Sequence, residues 1–350
     1  MEKYRHGGEI YNKTVTLDYS VNINPLGLPS RVKEVLIKNI DQFIQYPDNN
    51  CNTLIKAIAD YEQVDKNHII CGNGASDIIF RLCFARKPKR AMVLAPTFSE
   101  YEKALLASGS AIEYYLLKED DCYAITEKIV DSLNENVDML FLCNPNNPVG
   151  NCMDIGIIEK IIQQCKIHNI FLVVDECFLD FVEKGDLLSV KKYIHNNSNI
   201  FIIKAFTKIY AMAGLRLGYG LCCNFNLLEK MQDIGPSWNV SIPAQIAGVE
   251  ALLQQEYLKD TMELIKIERN YLCKHLKRLG LKVFDPTANY IFFQSKKELY
   301  EPLLKKGILI RWCDNYRQLG KEYYRIAIKN HGENVEFINQ IEQVLLENNT

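Results

Sequence analysis

Thr207-Lys208-Ile209-Tyr210-Ala211-Met212-Ala213-Gly214-Leu215-Arg216-Leu217-Gly218-Tyr219 decides how the rest of the chain reads. The stretch follows an apolar, strand-sized run and closes on small residues that open another. A lysine taken alone is ordinarily a solvated surface group, so the surroundings must give this one its meaning. Between residues 69 and 223 short β-branched runs alternate with amphipathic stretches, as at 91–94, 139–143, 171–174 and 200–203. Residues 155–168 have a helical pattern in which Ile158, Ile161, Ile162 and Cys165 share one face. This alternation predicts an α/β fold whose mainly parallel sheet is covered on both faces.

The chain has 350 residues, 48% of them hydrophobic, and beyond about 250 residues a single core usually divides. We expect an N-terminal arm over 1–45 that contributes to the small domain and the active site. A large domain over 46–242 and a smaller α+β domain over 243–350 follow. In the smaller domain a long charged helix at 244–279 precedes short runs at 290–294, 308–312 and 323–328. With 41 basic and 43 acidic residues the net charge is −2, which offers no basic face to a polyanion, and nucleic acid is not an expected partner. No apolar run approaches the roughly 20 residues that span a bilayer. Twelve cysteines are scattered without C-x-x-C spacing, and Cys143, Cys177 and Cys222 lie in apolar runs, where a thiol serves as a small hydrophobe. The start Met1-Glu2-Lys3-Tyr4-Arg5 lacks the apolar segment of a secretory signal. A reduced, cytoplasmic protein is expected.

Three further pieces give Lys208 its context. Cys71-Gly72-Asn73-Gly74-Ala75-Ser76 joins a strand to an amphipathic helix, so small residues expose backbone N–H groups at a positive helix end. A dinucleotide fold would need a third glycine where Asp77 stands. Phe141-Leu142-Cys143-Asn144-Pro145-Asn146-Asn147-Pro148-Val149-Gly150 is a strand end followed by a proline-fixed turn that holds an amide rigidly. Val173-Val174-Asp175-Glu176-Cys177-Phe178 places a carboxylate at the end of an apolar strand, a costly position unless a cation meets it.

In this order and at these separations, the four pieces resemble the fold-type-I pyridoxal-phosphate (PLP) enzymes, the aspartate-aminotransferase fold group, over essentially the whole chain. The resemblance implies a Schiff base at Lys208, which then serves as acid or base at the substrate's α carbon. It implies that Asp175 pairs with the pyridine nitrogen and that Asn147 bonds the ring's 3′ oxygen. Gly74, Ala75, Ser76, Thr207 and Arg216 would hold the phosphate, and Phe98 would stack on the ring. Tyr46 matches a family tyrosine that reaches the neighbouring subunit's cofactor, which implies a homodimer.

Two families in this group act on phosphorylated amino compounds, threonine-phosphate decarboxylase of cobalamin synthesis and histidinol-phosphate aminotransferase. His6-Gly7-Gly8 and Asp18-Tyr19-Ser20-Val21-Asn22-Ile23-Asn24-Pro25-Leu26-Gly27 look more like the decarboxylase, as does Phe178, where the aminotransferase commonly has tyrosine. By that resemblance Arg325 binds the substrate carboxylate, and His6, Asn22 and Arg311 contact its phosphate, with Gly8 and Asn147 beside them. The implied reaction converts L-threonine O-3-phosphate to 1-aminopropan-2-ol O-phosphate; amino transfer from histidinol phosphate is the alternative. A non-catalytic PLP-binding regulator would be expected to carry a DNA-binding module before the arm and to lose Lys208 or Asp175. Ala205 departs from both families, which place a hydroxyl there on the cofactor phosphate, and Lys204 is the candidate to compensate by charge. No Cys- and His-rich extension follows, so no metal site is expected.

Overall fold

Runs such as Met139–Cys143 and Phe171–Asp175 have no polar face, so they form strands only where both sides of a sheet are covered. The computed structural model describes residues 4–347; Met1 to Lys3 of the polar start lie outside the described residues. Seven strands build the main sheet: β1 (Ile69–Gly72), β2 (Arg90–Ala95), β3 (Ala111–Leu116), β4 (Met139–Cys143), β5 (Phe171–Asp175), β6 (Ile200–Ala205) and β7 (Gly218–Leu221). Their order is β1-β7-β6-β5-β4-β2-β3. Neighbours are parallel except at β7, which runs antiparallel to both β1 and β6. This is the α/β fold with a mainly parallel sheet.

The period of two along each strand sends alternate side chains into two apolar layers. Met139, Phe141, Phe171, Val173, Phe201 and Ile203 fill one layer; Leu140, Leu142, Leu172, Val174, Ile200 and Ile202 fill the other. The same alternation carries Asp175 and Ala205 to the first face, and Glu176 and Lys204 to the second. Register sets Cys143 opposite Asp175 and Asp175 opposite Ile203, so the carboxyl ends of β4, β5 and β6 are level. Open α/β sheets bind ligands at that edge.

An antiparallel sheet lies beside it, in the order Arg311–Trp312, Tyr323–Ala327, Tyr290–Gln294, Lys282–Phe284. The run at 308–312 divides between two partners. Ile308–Leu309 pairs in parallel with Leu17–Asp18 of the arm, and Arg311–Trp312 pairs with Tyr323–Ala327. The arm itself contains a helix, Ser30–Lys38; buried Val32 and partly buried Leu36, four residues apart, give it an apolar edge.

The stretch expected as one helix at 244–279 is two, Ile242–Ala251 and Gln255–Arg278. Leu253 and Gln254 bond back three residues, to Glu250 and Ala251, which tightens and ends the first helix. The Gln254 side chain caps the same carbonyl region through Glu250. The helix at 155–168 is observed as Ile155–Ile167, N-capped by Asp154. Cys143, Cys177 and Cys222 are buried free thiols. Among the described residues no helix is long and apolar enough to cross a membrane.

Candidate active site

A cavity of about 420 Å³ opens at the carboxyl ends of β4, β5 and β6, roofed by the antiparallel sheet and the arm. His6, Asn22, Ala75, Ser76, Phe98, Asn147, Asp175, Thr207, Lys208, Arg216, Arg311 and Arg325 all line it. Gly74, Gly8 and Tyr46 do not. Gly74 stands just before the Ala75–Arg86 helix at φ +81°, where an added Cβ would come within 2.6 Å of Arg216 Nη2. Gly8 is one layer back and donates its N–H to Ser20 Oγ at 2.8 Å. Tyr46 is exposed and stacks on Trp238 with ring centroids 4.4 Å apart.

Lys208 sits in the single-turn helix Phe206–Ile209 that follows β6. Its Nζ has no hydrogen-bond partner among the described residues. Burial, with the nearby charges of Arg325 and Arg216, lowers its pKa to about 8. A sizeable fraction of the amine is therefore uncharged and nucleophilic near neutral pH.

Asp175, at the end of β5, accepts Tyr101 Oη at 2.6 Å on Oδ2 and Cys177 N–H at 2.9 Å on Oδ1. Burial raises its pKa, with these hydrogen bonds opposing. A buried carboxyl so placed is set to gain from a cationic partner. Tyr101 is held in turn by stacking on Phe141 at 5.0 Å and by an edge contact with Phe98 at 5.6 Å.

The two arginines on the roof are directly opposite each other, since Arg311 pairs with Arg325 in the strand register. Like charges in that position repel, and both side chains are buried. Arg325 donates to Asn147 Oδ1 at 2.5 Å and to Ser20 O at 2.7 Å. Arg311 donates to Arg5 O at 2.7 Å, to Asn315 Oδ1 at 2.6 Å, and to Trp312 O, with its guanidinium 5.0 Å over the Tyr316 ring. Every acceptor is neutral, and among the described residues neither guanidinium has a carboxylate partner. Asn22 Oδ1 and Arg325 Nε are buried without hydrogen-bond partners.

Asn147 accepts from Arg325 and, at 3.3 Å, from Tyr316 Oη. Both bonds fall on Oδ1, which leaves the donor end of the amide for a bound oxygen. The expectation that Lys204 compensates for Ala205 is corrected by the structure. Ala205 lines the cavity, whereas Lys204, one residue earlier, points through the opposite face to Glu62 at 3.0 Å and Asp180 at 3.9 Å. Tyr101 and Tyr316 went unassigned in the sequence. Tyr101 lies three residues after Phe98 in the sequence, while Tyr316 comes from a loop with no distinguishing pattern.

The aminotransferase class I and II family model matches residues 14–341. The chain belongs to the aminotransferase class I and II family. It is 36% identical to threonine-phosphate decarboxylase of Salmonella typhimurium, over 97% of this chain and 96% of that one. It is 32% identical to histidinol-phosphate aminotransferase of Clostridium novyi, over 97% and 93% of the two chains. Among solved structures, the histidinol-phosphate aminotransferase from Clostridium acetobutylicum superposes with a TM-score of 0.86 at 31% identity, covering 95% of this chain and 99% of that one. This family member is therefore a PLP-dependent enzyme. Its cavity fits the cofactor on the chain's own atoms: a buried carboxyl seeking a cation, a glycine-lined helix N-terminus facing Arg216, a free amide donor, and an unpartnered lysine amine.

Proposed function

We propose that this enzyme decarboxylates L-threonine O-3-phosphate to 1-aminopropan-2-ol O-phosphate. The observation that carries the reading is the pair of buried guanidiniums, Arg311 and Arg325, opposed across two strands and hydrogen-bonded only to neutral oxygens. Such an arrangement is costly in an empty site and favourable when two anionic groups enter together. A phosphorylated amino acid has those two groups, a carboxylate and a phosphate. In this reading Arg325 takes the carboxylate, and Arg311, His6 and Asn22 take the phosphate.

Asp175 would hold the pyridine nitrogen of PLP, Asn147 Nδ2 its 3′ oxygen, and Phe98 the ring face. The Ala75–Arg86 helix N-terminus behind Gly74, with Ser76, Thr207 and Arg216, would hold its phosphate. Bound PLP supplies an electron sink at the substrate's α carbon. Lys208 would anchor the cofactor and, as a free amine during turnover, would hold at Nζ the proton to be returned to that carbon. Arg325 decides the reaction by orientation. Held by Asn147 and Ser20, it would fix the carboxylate and so select which bond at the α carbon is aligned with the bound cofactor for cleavage. Amino transfer requires the α C–H bond there instead.

The large sheet within 46–242 would then hold the cofactor, while the arm and the sheet within 243–350 close over the substrate. A homodimer completes this reading. Tyr46, stacked on Trp238, is exposed outside the cavity, as are Ile37 and Ile44, and Tyr46 would reach the neighbouring cofactor.

The test is to give the PLP-loaded enzyme threonine phosphate alone and, separately, histidinol phosphate with 2-oxoglutarate. Carbon dioxide from the first mixture supports the reading. Glutamate from the second alone would replace it with amino transfer.

A further inference from the structure

Asp175 and Glu100 are the two carboxylates among the residues lining the cavity. In the decarboxylase reading Asp175 faces the cofactor, while Glu100, itself buried, lines the same cavity beside His6, which would meet the substrate phosphate. An unmasked carboxylate there repels the substrate. It is masked by the chain's own imidazole: His6 Nε2 lies 3.0 Å from Glu100 Oε1, and Lys103 Nζ lies 3.5 Å from the same oxygen. The His6 hydrogen bond is the leading cause that holds the Glu100 carboxyl below its ordinary range, with burial opposing. His6 also lies beside Phe98, with ring centroids 6.0 Å apart.

The arm that carries His6 is anchored without it. Arg5 O accepts from Arg311 and Asn315, and the Arg5 side chain pairs with Asp314. Gly7 is pressed so closely on Ser20 that an added Cβ would lie 2.2 Å from its carbonyl oxygen. Removing the His6 ring, whose side chain is 42% exposed, would therefore open a solvent-facing gap between the tilted Phe98 ring and the Glu100 carboxylate.

We propose, resting on the decarboxylase reading, that Glu100 is the positioning residue for His6, and that the pair determines specificity by filling with an internal imidazole the seat that an imidazole-bearing phosphate ester would need. With Nε2–H given to Glu100, His6 in its doubly protonated form has Nδ1–H left to donate to the substrate phosphate. A small phosphorylated amino acid fits beneath the pair. A substrate carrying its own imidazole meets an occupied seat.

Three variants of the PLP-loaded enzyme test this: His6→Ala, Glu100→Gln and the two together. Imidazole is titrated into each by calorimetry, and carbon dioxide release from threonine phosphate is followed with and without imidazole. His6→Ala should raise KM on the order of tenfold, one charge-assisted hydrogen bond lost, and should bind imidazole at about millimolar concentration with recovery of the lost activity. Glu100→Gln should raise KM with kcat nearly unchanged, and the double variant should neither bind imidazole nor recover. Histidinol phosphate should perturb the cofactor absorbance of His6→Ala and leave the unsubstituted enzyme unchanged. Failure of His6→Ala to take up imidazole, or equal uptake by the double variant, overturns the proposal. Absence of carbon dioxide release from the unsubstituted enzyme removes the decarboxylase reading instead, and the calorimetric titration still judges the pair.

Discussion

Replacing Arg325 by methionine removes a guanidinium that donates through two nitrogens and has no carboxylate of its own. If it grips the substrate carboxylate through two charge-assisted hydrogen bonds, each worth about 1.5–3 kcal/mol, the loss is about 3–6 kcal/mol. That is about two to four orders of magnitude in kcat/KM. Folding should lose at most about 1–3 kcal/mol, because the buried Ser20 carbonyl loses its donor while the substitution relieves the repulsion across the strands from Arg311. The substitution also reaches Lys208, whose pKa of about 8 owes most to burial and next to the Arg325 charge. With that charge gone the value should climb toward 10.5, its ordinary position. Only the neutral amine attacks the cofactor aldehyde, so the rate of PLP capture by the apo-enzyme should rise with pH through about 8 in the unsubstituted protein and through a higher pH in the variant. The assay pairs carbon dioxide release with stopped-flow PLP capture across pH 6.5 to 10. A kcat/KM within about threefold of the parent, together with an unmoved pH limb, would refute the assignment.

Gly74→Ala places a Cβ against Arg216 Nη2 at a φ of +81°, so PLP dissociation should accelerate and the dissociation constant rise about tenfold or more; absorbance titration reads it. Ala205→Ser restores a hydroxyl to the cavity wall and should tighten PLP about fivefold, near 1 kcal/mol, in the same titration. Glu62, buried against Lys204, Lys191 and Tyr219, is pushed up by burial, but these partners outweigh it and hold it at about 2 against an ordinary 4.5. The stability it confers is complete above pH 4.5 and is lost as pH falls through about 2. Urea unfolding between pH 6 and pH 2 should show about 3 kcal/mol of acid-sensitive stability that Glu62→Gln lacks.

The parallel sheet was legible because β4 is apolar throughout, β5 at all but its closing Asp175 and β6 at all but Lys204, and only a doubly covered strand tolerates that. The motif residues that gather at the cavity were legible for a related reason: Asp175 closes a strand, Ala75 and Thr207 lie in the first turns of helices, and Asn147 and Arg216 lie in loops joined to strands, so the level carboxyl ends bring them together. What sequence could not supply was direction. Lys204 and Ala205 are adjacent, and only the phase of β6 says which one faces the cavity. The break at 252–254 was hidden because the residues on either side are good helix formers and the helix ends through three-residue hydrogen bonds. Tyr316 and Glu100 gain their meaning from partners 169 and 94 positions away, distances over which a local pattern holds no information.

The most direct test of the central claim is to follow threonine phosphate labelled with carbon-13 at the carboxyl group, in deuterium oxide, with PLP-loaded enzyme and no keto acid. The account predicts that all the label leaves as carbon dioxide and that 1-aminopropan-2-ol phosphate acquires one deuterium at the carbon that lost it. A keto acid product that retains the labelled carboxyl, with the cofactor left in its amine form, would contradict it.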